Sequence, residues 1–428
     1  MLARMAKEEA KGARFQAPRG TKDVLPEDEP YWRFARATGE RVAGLFGYRY
    51  IETPMFEDAR IWLRTGDGTE VVEKEMYVFE DRGGDQLALR PETTASVCRA
   101  YIQHGMSSAP QPVRLFYFAQ KFRYDRPQAG RYRQHTEFGV EAIGDGDALV
   151  DGEVIELLSM FYEGLGLHGL TMQLNSIGDG NCRPQYIEAL RAYYADKLNS
   201  VCPDCRMRYE KNPLRLLDCK QPQCQPAIAQ APVIADRLCD DCAAHFAALR
   251  SYLDALEIPY ALNPRLVRGL DYYTRTVFEF HPPEEGAQSA VGGGGRYDGL
   301  IELLGGRSTP GTGFGSGIER LIINMKRQNA AVPPVEPPRV YVAHNSAQGQ
   351  EAAVRLAHRL RAQGIGAIVG SGRSLKSQLR HADALGARYC AILGDQELSR
   401  GEVTLRDMRD SQQRAVGEPE LARAVADP

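Results

Sequence analysis

The chain contains 428 residues, which is more than one hydrophobic core usually supports, so two or three domains are expected. Its 43% hydrophobic and 25% charged residues are typical of a folded globular protein, and its net charge of −3 means that any contact with nucleic acid must depend on local charge. No apolar run approaches the roughly 18 residues that cross a bilayer. The charged first twenty residues lack the apolar core of a secretory signal, which predicts a cytoplasmic protein.

The first three quarters of the chain are predicted to form one strand-rich domain with an insertion. Helical segments and strand-like runs such as VRLFYFAQKFRY alternate up to about residue 170. A cysteine-containing, mostly helical stretch follows, and strand- and glycine-rich sequence then returns with LVRGLDYYTRTVFEF. We therefore predict a domain of residues 1–330 that is interrupted by an inserted domain at about 181–259.

A proline-rich segment, AVPPVEPP at 331–338, predicts an extended and semi-rigid linker. Beyond it, the runs VYVAH, GIGAIVG and ARYCAILG alternate with helical segments, one of which carries Val354, Ala357 and Leu360 on one side. Strands that alternate with helices predict a small α/β domain at residues 339–428.

Basic residues are concentrated in two places. The stretch from Ala352 to Ala382 contains six basic residues and no acidic one. The six are Arg355, Arg359, Arg361, Arg373, Lys376 and Arg380. Between Lys121 and Arg133, five basic residues accompany the single acidic residue Asp125. A solvated surface is the ordinary interpretation of a charged run, but each of these runs coincides with a motif, which favours contact with phosphate groups.

The segment KFRYDRPQAGRYRQHTEFGVEAIG, at 121–144, brings arginines close to carboxylates. A predicted strand delivers the arginines, a Pro/Gly turn follows, and a second strand carries Glu137 and Glu141. Arginine suits phosphate because its guanidinium is planar, bidentate and permanently charged. The pattern predicts a site for a phosphorylated molecule beside a small cationic one, although a surface hairpin with salt bridges would have a similar sequence.

Two glycine-rich segments, VGGGGRYDGLIELLGG and GTGFGSGIERL, favour close approach of the backbone to a ligand. Neither is a Walker phosphate loop, because no Gly-Lys-Ser/Thr follows, and GTGFGSG lacks the βαβ context and the acidic residue of a dinucleotide-binding loop. We predict a glycine-rich strand that leads into a helix with Glu319 and Arg320 in its first turn.

The segment LVRGLDYYTRTVFEF, at 266–280, places an arginine and two adjacent tyrosines before a β-rich run. Within a strand, Tyr272 and Tyr273 would point to opposite faces, so only one of them is expected to line a pocket directly. Val277, Phe278 and Phe280 are interpreted as core residues.

These segments resemble the motifs of one protein family. FRYDRPQAGRYRQ resembles motif 2 of the class II aminoacyl-tRNA synthetases in the form used by histidyl-tRNA synthetases, and GTGFGSGIERL resembles motif 3. The segment around YIETPMFED is similar to motif 1, with Pro54 at its proline position, while LVRGLDYY and GGGGRYDGL resemble the histidine-specific signatures. GRSLKSQLRHADALGARYCAILGDQEL and VTLRDMRDSQQ are similar to the family's anticodon-binding domain, so the resemblance extends from about Arg19 to Ala415.

The resemblance implies an α+β fold, in which a six-stranded antiparallel catalytic sheet carries flanking helices and a helical insertion, followed by a small α/β anticodon-binding domain. It implies a homodimer formed through motif 1. The implied reaction has two steps: histidine reacts with ATP, whose phosphates carry Mg²⁺, to give histidyl-adenylate and pyrophosphate, and the histidyl group is then transferred to tRNA(His).

The resemblance also implies roles for individual residues. Arg123 and Arg268 are the expected catalytic residues, on either side of the α-phosphate. The residues expected to bind histidine are Glu92, Thr93, Thr94, Arg123, Glu137, Glu141, Arg268, Tyr272 and Tyr273. Those expected to bind ATP are Arg123, Asp125, His135 and Arg320, and those expected to approach the tRNA acceptor end are Arg126 and Gln128. No metal ligand is expected in the catalytic machinery.

Four positions depart from the family pattern. Asp125 stands where glutamate is usual, and Thr93 stands where glycine is usual. His135 replaces the aromatic ring expected to stack on adenine, and Glu137 replaces a glutamine expected near the substrate ammonium group. These changes bear on the binding of ATP and histidine, and none of them removes an essential charge.

Six of the nine cysteines lie within one short region: Cys202, Cys205, Cys219, Cys224, Cys239 and Cys242. The pairs Cys202-x-x-Cys205 and Cys239-x-x-Cys242 have the spacing of a zinc knuckle, with Cys219 and Cys224 as alternative ligands. A structural zinc and a group of reduced thiols are both compatible with this pattern. The remaining three, Cys98, Cys182 and Cys390, are interpreted as scattered, buried apolar residues.

Three other functions compete with this interpretation. The regulatory subunit of ATP phosphoribosyltransferase resembles the catalytic core of the family, but it normally lacks the anticodon-binding domain and an intact RGLDYY signature, both of which this chain has. A class II synthetase for another amino acid would lack the histidine-specific segments. A general RNA-binding module would not need the clustered arginines.

Overall fold

The computed structural model describes residues 15–65, 71–283, 290–372 and 374–426. The chain divides into two compact units, Met1–Val332 and Pro333–Pro428. The division falls within the proline-rich segment 331–338, which is neither helix nor strand. Every helix in the described part of the chain is too short or too polar to cross a lipid bilayer.

Two sheets organise the first unit. Its strands are β1 (Arg49–Tyr50), β2 (Phe56–Asp58), β3 (Tyr77–Glu80), β4 (Gln86–Leu89), β5 (Val113–Phe122), β6 (Gln134–Ile143), β7 (Thr171–Ser176), β8 (Tyr260–Leu262), β9 (Thr274–His281), β10 (Gly292–Arg296) and β11 (Gly311–Gly317). Eight of them form one sheet in the order β1-β5-β6-β11-β10-β9-β7-β8, and the other three form a sheet in the order β2-β4-β3.

The six central strands of the large sheet, from β5 to β7 in that order, pair with one another in antiparallel fashion. The predicted six-stranded antiparallel sheet is therefore confirmed. The structure adds one parallel strand at each edge, because β1 pairs with β5 and β8 pairs with β7. These edge strands have two and three residues, which is too short to give a periodic pattern in the sequence.

One face of the large sheet is apolar, and helices cover it. The helices of the first unit are α1 (Glu29–Leu45), α2 (Arg60–Thr65), α3 (Thr94–Gln103), α4 (Ala148–Gly164), α5 (Arg183–Tyr194), α6 (Pro203–Lys211), α7 (Gln225–Ala229), α8 (Asp240–Ala255), α9 (Leu300–Leu303) and α10 (Ile318–Arg327). Buried residues of α1, α4, α8 and α10 share one core with Phe138, Phe278 and Phe314 of the sheet. The interpretation of Val277, Phe278 and Phe280 as core is confirmed by their burial.

Helix α4 illustrates how the sequence sets a local boundary. The side chain of Asp147 accepts a hydrogen bond of 2.8 Å from the backbone N–H of Leu149, which satisfies one of the free donors at the helix start. Beyond this cap, Val154, Leu158 and Phe161 recur at helical spacing and are completely buried against the sheet.

The smaller sheet adjoins the segment that resembles motif 1. Arg90, directly after β4, is buried and its guanidinium donates to the carbonyl oxygens of Thr53 at 2.8 Å and Pro54 at 3.2 Å. Its Nε donates to the carbonyl oxygen of Gln120 in β5 at 2.6 Å. Arg90 therefore ties the motif 1 segment to the strand that leads into the arginine-rich loop.

The stretch between β7 and β8 contains helices α5 to α8 and short 3₁₀ segments, of which Pro213–Leu216 and Pro222–Cys224 follow α6. Its two ends are neighbours in space, since Met172 of β7 pairs with Tyr260 of β8. The chain thus leaves the large sheet at one strand and returns to the adjacent position.

The second unit has an α/β fold built on a five-stranded sheet with both parallel and antiparallel pairs. Its strands, β12 (Val340–His344), β13 (Ala367–Val369), β14 (Tyr389–Leu393), β15 (Glu402–Asp407) and β16 (Gln413–Gly417), lie in the order β13-β12-β14-β15-β16. Its helices are α11 (Ala347–Ala362), α12 (Leu375–Ala384), α13 (Asp395–Arg400) and α14 (Leu421–Ala426). The predicted strands are confirmed. Ala357 and Leu360 of α11 are buried as predicted, but Val354 is 55% exposed, because the buried side of α11 follows Ala353 and Leu356 instead.

Candidate active site

The face of the large sheet opposite the phenylalanines has glycines at its centre. Gly293 of β10 lies beside Gly315 of β11 in the pairing register, and Gly313 pairs with Glu141 of β6. A Cβ atom added to Gly313 would overlap the Glu141 carboxylate. A Cβ on Gly315 would likewise overlap the carboxylate of Glu137. The glycines of GTGFGSG therefore leave space above β11 for two carboxylates of the neighbouring strand.

Glu141 lies at the bottom of this face and accepts three hydroxyl hydrogen bonds. Its Oε1 accepts from Thr94 at 2.8 Å and from Tyr117 at 3.0 Å, and its Oε2 accepts from Tyr297 at 2.5 Å. Burial raises the pKa of Glu141 to about 8, although the hydroxyl donors act in the opposite direction. A buried carboxylate with this surrounding is suited to hold a ligand N–H in a fixed direction.

Glu92 forms a second buried carboxylate site next to the first. Its Oε1 accepts from the indole N–H of Trp62 at 3.2 Å and from the backbone N–H of Ala95 at 3.0 Å. Its Oε2 accepts from the Tyr272 hydroxyl at 3.2 Å. Burial raises the pKa of Glu92. Since Thr94 contacts Glu141, the short segment from Glu92 to Thr94 joins the two carboxylate sites.

Tyr272 and Tyr273 both contribute to this pocket. They lie just before β9 rather than within it, and both are buried, with ring centroids 4.9 Å apart. The prediction that only one of them lines the pocket is therefore wrong. It assumed strand geometry, whereas Tyr272 lies in a turn and the strand begins only after Tyr273, so the two rings lie next to each other.

Arg268 is held by a carboxylate on the site face of β9. It forms a short ion pair with Glu279, and its guanidinium lies 5.8 Å from the centroid of the Tyr273 ring. Burial opposes the charge on Arg268, but Glu279 outweighs this effect and raises the pKa of the guanidinium. Within the described residues, its buried Nε has no hydrogen-bond partner, which leaves a donor available to a ligand.

Two arginines and one neutral histidine lie in the part of the site that the arginine-rich loop and helix α10 form. Arg123 Nε donates to the carbonyl oxygen of Pro91 at 2.8 Å, one residue before Glu92. Arg320, in the first turn of α10, donates to the carbonyl oxygen of Gly130 at 2.8 Å. Burial and the nearby charges of Lys121, Arg123 and Arg320 hold the pKa of His135 well below its usual value, so its ring is neutral at physiological pH.

The loop between β5 and β6 is more exposed than the rest of the site. Asp125 forms a short ion pair with Arg131, and the Arg133 guanidinium lies 3.7 Å from the centroid of the exposed Tyr124 ring. Arg126 and Gln128 are exposed at its outer part. These two side chains are therefore separate from the buried pocket and accessible to a large ligand.

Two predicted histidine-binding residues lie outside this network of hydrogen bonds. Glu137 forms a short ion pair with the buried Lys121, so its carboxylate is already neutralised. Thr93 is buried, and its hydroxyl has no hydrogen-bond partner within the described part of the chain. The structure thus brings Glu92, Thr94, Glu141, Tyr272 and Tyr273 together, while the side chain of Thr93 remains outside that network.

Four residues that complete the site were not predicted from the sequence, namely Trp62, Tyr117, Glu279 and Tyr297, and Lys121 was predicted only as part of a basic run. A signal was present for two of them: alternation along β9 places Glu279 on the face opposite Phe278, and Tyr297 lies two residues after the four-glycine run. Tyr117 reaches Glu141 by crossing Gly139, where a side chain would overlap its ring, so its role depends on the register of β5 and β6.

Arg296, which also follows the glycine run, has a structural role. It is completely buried and binds Asp151 of α4 at 2.7 Å, while Thr276 donates to the same carboxylate at 2.6 Å. It also donates to the carbonyl oxygens of Asp145 and Asp147 at 3.0 Å. A fully satisfied buried arginine of this kind fixes the end of β10 relative to α4.

The cysteines form two separate groups. One contains Cys202, Cys205, Cys219 and Cys224, and the other contains Asp179, Cys182, Cys239 and Cys242. Of the alternatives that the spacing left open, Cys219 and Cys224 join the pair Cys202 and Cys205, and the pair Cys239 and Cys242 has other partners. The interpretation of Cys182 as an isolated apolar residue is wrong.

In the second unit, the predicted basic run lies mainly on the surface. Arg355, Arg359, Arg361, Lys376 and Arg380 are exposed, and Arg373 lies outside the described residues. Arg355 pairs with Glu351, and Arg359 pairs with Glu418. Acidic residues next to the run therefore neutralise part of its charge, and Lys376 and Arg380 lie exposed on α12.

The antiparallel sheet with its flanking helices and the separate α/β unit have the fold that the resemblance to class II aminoacyl-tRNA synthetases implied. A family model described as histidyl-tRNA synthetase matches residues 20–321, and one described as anticodon binding domain matches residues 335–427. The chain belongs to the histidyl-tRNA synthetase family.

Individual relatives agree with this assignment. A histidine–tRNA ligase of Dehalococcoides mccartyi is 53% identical over 404 residues, which cover 94% of this chain and 97% of the relative. One from Desulforamulus reducens is 46% identical over 406 residues, with 94% and 97% covered. The crystal structure of the apo histidyl-tRNA synthetase of Staphylococcus aureus is similar with a TM-score of 0.82 at 36% identity, covering 97% of this chain and all of that one.

Proposed function

We propose that this chain activates histidine with ATP and transfers the histidyl group to tRNA(His). The observation that carries the proposal is the position of two buried, hydroxyl-bonded carboxylates beside Arg123 and Arg268 on one glycine-lined face. Such a site can bind a small cationic amino acid and a phosphate group next to each other. Membership of the histidyl-tRNA synthetase family supports the same reaction.

In this proposal, the two carboxylates distinguish the two ends of histidine. Glu92, with Thr94, binds the ammonium group, and Glu141, with Tyr272 and Tyr273, binds the imidazole ring. Because the polar groups around Glu141 are buried, an amino acid that lacks a ring N–H would leave them without a partner. Specificity for histidine then comes from the binding free energy that is lost when a buried polar group has no hydrogen-bond partner.

Two arginines act on the α-phosphate of ATP. The histidine carboxylate oxygen attacks the α-phosphorus, the bond to the β-phosphate oxygen breaks, and pyrophosphate leaves with the electron pair. Arg123 and Arg268 offset the charge that grows on the α-phosphate oxygens, which is the largest contribution expected from such preorganised donors. The pairing of Arg268 with Glu279 keeps this guanidinium in place before substrate binds.

ATP is expected to lie across the cationic side of the site. Because the ring of His135 is neutral, it can stack on adenine without repelling the Mg²⁺ that accompanies ATP. Arg320 faces the terminal phosphates. Asp125 orders the loop through Arg131. The buried Glu319 Oε2, which lacks a hydrogen-bond partner within the described residues, fits as a ligand for the Mg²⁺ that neutralises the ATP phosphates.

The transfer step requires contact with tRNA. Exposed Arg126 and Gln128 lie on the loop next to the pocket and are proposed to contact the acceptor end. The second unit, which matches an anticodon binding domain, is proposed to bind the anticodon, with Lys376 and Arg380 contacting the RNA backbone. We propose domain limits of 1–330 with an insertion at 181–259, a linker at 331–338 and a second domain at 339–428, in a cytoplasmic protein.

We also propose a homodimer formed through motif 1 and the small sheet. This surface exposes an unusual number of large apolar side chains, namely Tyr50, Met55, Phe56, Leu63, Val78 and Phe79. Phe56 and Phe79 contact each other with ring centroids 6.4 Å apart. A contiguous exposed apolar surface of this kind is typical of a protein interface. Light scattering on Phe56→Glu should give a lower mass than the parent protein.

The experiment that tests the proposed function is ATP–pyrophosphate exchange with each of the twenty amino acids in turn, with Mg²⁺ present. We expect exchange with histidine alone. Arg268→Ala should lower its rate by about 10²–10³-fold, the effect of losing one donor to a developing charge. Arg265→Ala is the matched control, because Arg265 is exposed and donates to the carbonyl oxygen of Ala229 outside the site. Folded protein that gives no exchange with any amino acid would favour the regulatory-subunit alternative.

A further inference from the structure

The inserted stretch contains two groups of metal-binding side chains that the proposed reaction does not use. In each group, the four potential ligand atoms lie within 4.8 Å of one another. All four cysteines of the first group are buried. The second group combines three cysteines with one carboxylate, and two of its members are only partly exposed while the other two are buried.

The sulfur positions in the first group fit a tetrahedral ion. The Sγ atoms of Cys202 and Cys219 lie 3.8 Å apart. Four thiolates around Zn²⁺ at about 2.3 Å would be separated by about 3.8 Å, whereas a disulfide requires about 2.05 Å. All four cysteines are unbonded to one another, so the group is set up for coordination rather than for cross-linking.

Backbone amides point at these sulfurs. The N–H of Cys205 donates to Cys202 Sγ at 3.4 Å, and the N–H of Gln221 donates to Cys219 Sγ at 3.4 Å. The N–H of Cys202 donates to Cys224 Sγ at 3.3 Å. Amide donors stabilise a thiolate rather than a thiol, and they orient the sulfur as outer-shell partners do in metal sites.

The second group is arranged around Asp179. Its Oδ1 lies 3.9 Å from Cys182 Sγ and 4.0 Å from Cys239 Sγ. Its Oδ2 is held by Arg275 at 3.2 Å. A zinc-bound oxygen and sulfur would lie about 3.6 Å apart, so the group needs to contract by only a few tenths of an ångström. The contact with Arg275 orients the carboxylate toward the thiols.

We propose that the inserted stretch holds two structural zinc ions, one bound by Cys202, Cys205, Cys219 and Cys224 and the other by Asp179, Cys182, Cys239 and Cys242. Both sites offer four protein ligands, which leaves no open position for a substrate and makes them structural rather than catalytic. Soft thiolate ligands in tetrahedral groups favour Zn²⁺ over Mg²⁺ or Ca²⁺.

The two ions would position the segment that carries Arg268, Tyr272 and Tyr273. Between the ligands Cys205 and Cys219, Asn212 donates to Asp271 at 2.6 Å, and Arg215 donates to the carbonyl oxygen of Arg268 at 3.1 Å.

On the second site, Arg183, next to Cys182, donates to the carbonyl oxygen of Tyr273 at 2.6 Å. The segment that carries Arg268, Tyr272 and Tyr273 is thus braced by both groups. The metal assignment stands apart from the proposed function, and only its effect on histidine activation rests on that function.

The test is the metal content of the full-length protein, purified under reducing conditions without chelator and measured by mass spectrometry of the metals. We expect two zinc ions per chain in the parent protein. Cys219→Ser and Cys242→Ser should each retain one ion, because each removes a ligand from a different group. Cys390→Ser is the matched control, since Cys390 is equally buried but lies in the second unit, and it should retain two.

A second measurement, on the parent protein, tests the proposal even if the variants fail to fold. The parent protein is stripped with a chelator, reduced and titrated with Co²⁺, whose intense visible absorption is diagnostic of tetrahedral thiolate coordination. Saturation at two equivalents supports the proposal. Folded, reduced protein that takes up neither Zn²⁺ nor Co²⁺, or a folded Cys219→Ser that still binds two ions, would overturn it.

Loss of metal should also raise the KM for histidine in the exchange assay, which a purely remote structural change would not do selectively. If zinc is bound as expected but exchange never occurs, the proposed function fails while the metal sites stand.

Discussion

The proposed histidine pocket and the neighbouring arginine-rich loop differ in burial and in how their side chains are held. In the pocket, Glu92 and Glu141 are buried and already hydrogen-bonded by side chains from several elements. The loop around Arg126 is exposed and is held by the Asp125–Arg131 ion pair. A small ligand needs groups fixed in advance, because it contributes little binding energy with which to order them. A long RNA can order a loop through many weak contacts.

The largest effect is expected where the fixed pocket is disturbed directly. Gly313→Ala would push a methyl group into Glu141 Oε2 and the carbonyl oxygen of Val140, and the backbone oxygen cannot move aside. We expect kcat/KM for histidine to fall by about 100-fold, as displacements of about 1 Å commonly do. Gly317→Ala, on the same strand, is the control because a Cβ there meets nothing within 4 Å. Equal exchange activity in the two variants would contradict a preformed pocket.

A smaller effect is expected when the shape is kept and the titratable carboxyl group is lost. Glu141→Gln retains the size of the side chain but cannot pass a proton to the imidazole and so form a charge-assisted hydrogen bond with it, which should lower kcat/KM for histidine by about 10–100-fold. The KM for ATP should not change, since Glu141 pairs with Gly313 within β11, whereas Arg320 lies in α10 beyond the end of that strand. Glu153→Gln, which alters a carboxylate paired with Arg114 outside the site, serves as the comparison. A change in ATP binding would show that the two sides are not independent.

The same substitution should show how much the buried carboxyl group lowers the free energy of unfolding as pH rises. Glu141 keeps its proton up to pH about 8 in the native protein, whereas the unfolded chain releases it near 4.5. Between these values unfolding releases a proton, so this group's contribution falls as pH rises, by about 1.4 kcal/mol per pH unit. In urea titrations from pH 5 to 9, Glu141→Gln should therefore gain stability relative to the parent up to pH 8. Parallel stability curves would exclude the raised pKa.

The smallest effect is expected in the loop. Arg126→Ala should leave ATP–pyrophosphate exchange unchanged but reduce transfer to tRNA several-fold and lower the salt dependence of tRNA binding by about one unit of slope. Arg307→Ala, an exposed arginine outside the loop, should change neither. If Arg126→Ala impaired exchange as strongly as transfer, the loop would belong functionally to the pocket.

Much of the fold and the site could be predicted because the relevant signals are local. Strand-like runs indicated several of the strands, the resemblance to class II synthetases implied the six-stranded sheet, and the motif segments predicted roles for Arg123, Arg268 and Arg320. Turn geometry was less accessible: Tyr272 and Tyr273 were assigned strand directions, but the backbone is not yet extended there. A difference of two residues in the start of β9 was enough to reverse that prediction.

The parts that were missed depend on contacts between distant segments. Three hydroxyls reach Glu141 from α3, from β5 and from the residue after β10, and no local pattern relates them. The membership of the two cysteine groups could not be predicted for the same reason. Short 3₁₀ turns after α6 bring Cys219 and Cys224 back to Cys202, while Cys239 and Cys242 meet residues that immediately follow β7. Spacing along the chain cannot decide between such partners.

The glycine run of β10 also limits how this protein could be redesigned for another amino acid. At Gly293, Gly294 and Gly295, an added carbon would meet backbone carbonyl oxygens of the adjacent strands, which no change of rotamer relieves. A mutant library that randomises these positions would consist largely of inactive members. Tyr117 and Tyr297 are better positions to randomise. Their hydroxyls contact the carboxylate of Glu141, and their side chains can be exchanged without moving the backbone.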